Sequence, residues 1–150
     1  MTLGLNGTKQ NEADAAYRSL RIIWLAILMS VVTIFVITRL VQPLATRSGT
    51  QTIFWMLMAL GLATFAASFV MKQRTLKQAA GKNSPGMVRI AYIIAFAFCE
   101  ATALFGMAAY FATGVEYYYF FFVLSGFGQL LHKPQRDDFV AATGENNLWK

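Results

Sequence analysis

Four long apolar runs, at about 20–41, 52–71, 90–113 and 116–131, alternate with short polar segments. A helix rises about 1.5 Å per residue, so about 20 apolar residues cross a hydrocarbon core of about 30 Å. The pattern predicts an all-α, polytopic membrane protein: one four-helix transmembrane domain over 1–150, with short polar tails. The fourth run is the shortest. It crosses only by starting at Gly114 or earlier, or where the bilayer thins around it. The short Gly114-Val115-Glu116 turn makes the third and fourth helices antiparallel neighbours. Asn11 reads as a helix cap, with Glu12 and Asp14 in the favourable first turn, and Pro43 as the far end of the first helix. The first run is too long for a signal core, no small-x-small site follows it, and the runs leave no room for a separate soluble domain.

Charge sets the expected orientation. Lys9, Arg18, Arg21, Lys72, Arg74, Lys77, Lys82, Arg89, Lys133, Arg136 and Lys150 fall on one side of the four runs, and Arg39 and Arg47 on the other. Eleven against two places both termini in the cytoplasm. Only 13% of residues are charged, against roughly 25% in soluble domains, so the formal charge of +6 reads as a topology signal with attraction to anionic lipid. It does not imply nucleic acid. The expected location is a bacterial inner membrane, and the expected partners are the lipid bilayer and other membrane subunits.

Against that apolar background Glu100 stands out, an acid near the middle of the third run. An ionised carboxylate at the bilayer centre costs on the order of 3 kcal/mol. Glu100 therefore reads either as a proton-binding group or as a protonated acid bonded to a neighbouring helix, for example to Thr64 or Ser68. Tyr92 and Tyr110 lie too far along the run to reach it and read as interfacial, as does the belt Tyr117, Tyr118 and Tyr119. His132 is a possible haem or chlorophyll ligand or, at the membrane edge, an interfacial residue. The single Cys99 reads as a packing residue, and nucleotide-binding glycine loops and metalloprotease motifs are absent from the sequence. Nothing here forms a catalytic constellation, and no cofactor is implied beyond bound lipids or pigments. Small residues allow close helix approach: Ala59, Ala63 and Ala66, in line with Thr52, are expected to face Ala97, Ala101 and Gly106 across a tight hairpin of the second and third helices.

Residues 55–114 join a small-residue helix (MALGLATFAASFV), a basic loop with Asn83 and Pro85, and a second helix carrying FCEATALFGMAAYF. In this order and spacing they resemble subunit c, the proteolipid of F-type ATP synthases. Glu100, Ala101, Leu104, Phe105 and Gly106 match the family pattern Glu-Ala-x-x-(Ile/Leu)-(Tyr/Phe)-Gly. The resemblance implies a proton-carrying role for Glu100 and a bioenergetic setting. The chain departs from the family in keeping only Gly61 in place of the first helix's glycine ladder, in adding Phe65 and Phe69, and in placing a helix on each side of the hairpin. The reading that follows is a small accessory subunit of a larger, bioenergetic membrane complex, with a subunit c-like proton carrier as the alternative.

Overall fold

The computed structural model describes residues 3–41, 50–82 and 84–142, nearly all of them helical and none in a strand. The helices are α1 (Leu3–Leu40), α2 (Thr50–Lys82), α3 (Pro85–Thr113), α4 (Tyr119–Leu131) and α5 (Arg136–Ala142), with a single 3-10 turn at Glu116–Tyr118 before α4. Among the described residues three segments are long and apolar enough to cross a membrane: Asp14–Leu40, Gln51–Ala79 and Gly86–Thr113. The thirteen residues of α4 span about 20 Å, less than a hydrocarbon core of about 30 Å.

Helix continues where the sequence predicts a loop. Segment 72–82, KQRTLKQAAGK, extends α2, and α3 begins at Pro85, leaving only residues 83–84 between them. Lys, Arg, Gln, Leu and Ala are good helix formers, so loss of hydropathy here is not loss of helicity. Leu76 and Ala79 pack inward on this extension, and Pro85 suits the first helical turn, where its missing N–H costs nothing. Asn11 lies inside α1 rather than at its start, since the helix begins at Leu3. Pro43, Arg47, Asn83 and Lys150 lie outside the described residues.

Three apolar clusters hold the bundle. At one end Leu20, Ala79, Val88, Tyr92, Phe96 and Phe139 join α1, α2, α3 and α5. The polar tail expected after Gln135 thus contains a short helix that delivers Phe139 to the core. Toward the other end Val31, Ala103, Tyr118 and Phe122 join α1, α3 and α4, while Phe54, Ala109 and Phe121 join α2, α3 and α4. The middle helix is α3, in contact with every other helix, and it pairs most extensively with α2. It ends at Gly114, whose φ of 65° is a left-handed conformation that glycine adopts without strain and whose N–H bonds Tyr110 O at 2.8 Å.

The close-packing surface differs from the expected alanine stripe. Ala59, Ala63 and Ala66 are exposed, as are Thr52 and Ala97, and Ala101 is half-buried. The inward face of α2 instead repeats every two turns through Phe54, Gly61 and Ser68. Gly61 and Gly106 both receive one ring: a Cβ on Gly61 would meet Phe121 Cε1 at 2.7 Å, and a Cβ on Gly106 would meet Phe121 Cβ at 2.6 Å. Gly106 is thus a close-approach position, but toward α4. Alanine is compatible with any helix face; only glycine admits an aromatic ring this close, so an alanine stripe alone does not identify the packed side.

Candidate functional site

Glu100 lies on the seam between α3 and α1. Ser30 Oγ donates a hydrogen bond to Glu100 Oε1 at 2.6 Å, and Glu100 is half-buried. The partner comes from α1, not from α2 as expected. Thr64 and Ser68 are occupied elsewhere: Thr64 Oγ1 pairs with Thr102 Oγ1 at 3.2 Å, and Ser68 Oγ with His132 Nε2 at 2.9 Å. The helical period decides this, because Thr102 is two residues past Glu100 and points to α2 while Glu100 points away from it.

Around this pair, polar side chains are tied from helix to helix. Ser125 of α4 donates to Cys99 O at 2.7 Å, and Gln129 Nε2 to Phe96 O at 3.2 Å. Trp24 Nε1 of α1 in turn donates to Gln129 O at 2.8 Å. Gln129 Oε1 is buried without a protein partner among the described residues. Cys99 is fully buried and packs near Gly128, as expected of a packing residue.

His132, at the C-terminal end of α4, is buried within the bundle. Its ring lies 4.4 Å from that of Phe69, centroid to centroid, and its Nε2 is engaged by Ser68. Burial, and then the Lys72 ammonium, hold its pKa down at about 4. Among the described residues there is no group of three or more His, Cys, Asp or Glu placed to hold a metal ion.

Tyr92 is also fully buried. Its hydroxyl donates to Asp138 Oδ2 at 2.5 Å and accepts from the Gln135 N–H at 3.1 Å. The Lys72 ammonium sits 4.1 Å from the ring centroid, a cation–π contact. On the surface Arg136 bridges to Asp14 at 3.0 Å. Of the tyrosine belt, Tyr117 and Tyr119 are exposed, whereas Tyr118 is buried against Tyr110 and Phe122.

The sequence reading missed Ser30, Gln129, Lys72 and Asp138. For Ser30 a signal existed: it lies halfway along the first apolar run, the depth at which Glu100 lies in the third. Asp138 gave none, because its segment read as a polar tail.

Chemically, the arrangement offers one carboxyl held by one hydroxyl, surrounded by locally consumed hydrogen bonds. Its one hydroxyl–imidazole pair, Ser68 with His132, is buried in the bundle, and no ring of metal ligands is assembled among the described residues. No protein-family model, curated protein or solved structure matches this chain.

Proposed function

We propose that this chain is a small, four-span accessory subunit of a larger membrane complex, with both termini cytoplasmic, and that its work is structural. The observation carrying this reading is that polar side chains within its apolar helices bond across the chain's own helices: Ser30 with Glu100, Thr64 with Thr102, Ser68 with His132, and Ser125 with Cys99 O. A transporter or enzyme needs polar groups turned toward a shared space, whereas here they are spent on holding helices together. The exposed faces are apolar, and α2 turns Ala59, Ala63 and Ala66 outward, which leaves a small-residue face open to a neighbouring helix. The resemblance to subunit c is the sole support for a bioenergetic parent complex and for a bacterial inner membrane.

Purification in mild detergent is the test, and the expected result is co-purifying membrane subunits at fixed stoichiometry. Ala63→Phe should leave the isolated chain's stability within about 0.5 kcal/mol, as for an exposed site, while reducing co-purification. A chain that purifies alone, with Ala63→Phe behaving as wild type, overturns the accessory reading.

A second reading makes Glu100 a proton carrier. The half-burial of its carboxyl on the α1–α3 seam favours it. The two readings part on substitution. Under the structural one, Glu100→Gln keeps the acceptor for Ser30 and leaves assembly intact, while Glu100→Leu and Ser30→Ala each weaken the fold by about 1–2 kcal/mol. Covalent labelling of Glu100 by a carbodiimide, rising with acidification because the coupling consumes the carboxyl proton, or a purified homo-oligomeric ring would favour the carrier.

A further inference from the structure

An open groove of about 540 Å³ runs between α1 and α4. Its walls include Val31, Phe35, Tyr119 and Phe122, with Gly126 on α4. The volume lies in the range of about 300–1,000 Å³ typical of small-molecule sites. Among its lining residues the one charged side chain is Arg39. Arg39 is exposed and is the next-to-last residue of the apolar segment Asp14–Leu40. In a bilayer that position puts its guanidinium where the apolar core meets the headgroups.

We propose that this groove binds one anionic glycerophospholipid, with an acyl chain lying between α1 and α4 and the headgroup phosphate on Arg39. Three features converge on that occupant. The groove is apolar along its length, as an acyl chain requires. Its cation is at the end of a membrane segment, and a guanidinium matches phosphate oxygens with two parallel hydrogen bonds. No acidic residue lines the groove among the described residues, so a net negative headgroup meets no repulsion from them, whereas the ammonium of a zwitterionic headgroup is brought toward a like charge. Gly126 supplies the room. A Cβ built there meets nothing within 4 Å, in contrast to Gly128 on the same helix, where a Cβ would meet Cys99 Sγ and Phe65 Cε2 at 2.8 Å. One glycine of α4 is filled by its own bundle, and the other opens onto the groove.

Native mass spectrometry of the purified full chain, offered phosphatidylglycerol and phosphatidylcholine with identical acyl chains, tests the proposal. The expected result is a one-lipid adduct with about fivefold preference for phosphatidylglycerol, the scale of one basic residue acting near an anionic surface. Arg39→Gln should abolish the preference while retaining an adduct, and Gly126→Phe, which grows into open space, should abolish the adduct with both lipids. Unchanged helical circular dichroism and unfolding midpoint of both variants separate loss of binding from loss of fold. Equal retention of both lipids by the wild type, an adduct indifferent to Gly126→Phe, or a neutral isoprenoid co-purifying in place of phospholipid would each overturn it.

Discussion

Gly106→Ala is expected to destabilise the bundle by about 1–3 kcal/mol, the scale of overpacking a filled interior. The added methyl would meet Phe121 Cβ at 2.6 Å and Phe122 Cε2 at 3.2 Å. The first contact is with the root of a side chain, so no rotamer change relieves it and α4 itself must move. At Gly61 the clash falls on the edge of the same ring, at Phe121 Cε1 and Cδ1, where a small tilt helps, so Gly61→Ala should cost less. Gly126→Ala, facing open space, should be neutral or slightly stabilising, since alanine is the better helix former. Phe121→Ala removes the ring that both glycines receive and is itself costly. Phe121→Ala keeps the Cβ that Gly106→Ala would meet but removes the ring atoms at Gly61, so the double substitution Gly61→Ala with Phe121→Ala should cost less than the sum of the two. Unfolding titrations in mixed detergent give all of these values, and additive costs would mean that the ring and Gly61 do not share one space.

Acidification should loosen the end of the bundle that holds α5. The His132 imidazole is buried and neutral, with its pKa lowered from 6.5 to about 4 by burial and then by the Lys72 charge. The unfolded chain therefore takes up the proton first as the pH falls. Stability drops between pH 6.5 and about 4 and then levels off for this group, because below that the folded form is protonated as well. The loss from this one residue is on the order of 2–3 kcal/mol. The diagnostic quantity is the difference between wild type and His132→Gln, which isolates the imidazole. The variant should show a shallower dependence of unfolding free energy on pH across that window. Identical slopes would mean that the imidazole is not buried in its neutral form.

The helices were readable in the sequence because an apolar run of about 20 residues has few other solutions. Their ends were less so. Segment 72–82 is polar and basic, which marks the end of an apolar segment correctly and the end of the helix wrongly. The face of each helix was harder still. Ala59, Ala63 and Ala66 form a regular stripe, yet the stripe points outward, because the packed face was decided by where Phe121 could enter at Gly61 and Gly106. Glu100 was legible as the acid in the middle of an apolar run, and its partner was legible in depth but not in direction: Ser30 required knowing that α1 lies on that side of α3. The contacts of Tyr92 with Asp138 and Lys72 join residues from three helices, and neither sequence spacing nor hydropathy carries such information.

The docking of α5 also has a consequence for the order in which the molecule is made. Phe139 completes a cluster whose other members include Leu20 near the start of the first apolar segment, and Arg136 reaches Asp14 beside it. While the chain is being synthesised, α1 to α3 exist for the whole time it takes to translate α4 and the segment after it, with Leu20, Val88 and Tyr92 lacking their last neighbour. A contact between positions as far apart as Leu20 and Phe139 forms only once both have been made. The early helices must therefore wait in a partly closed bundle until residue 139 has left the ribosome, and closure of that end comes last. Phe139 is thus a late-acting latch, and a ribosome stalled before it would hold a nascent chain whose helices are inserted but not yet locked.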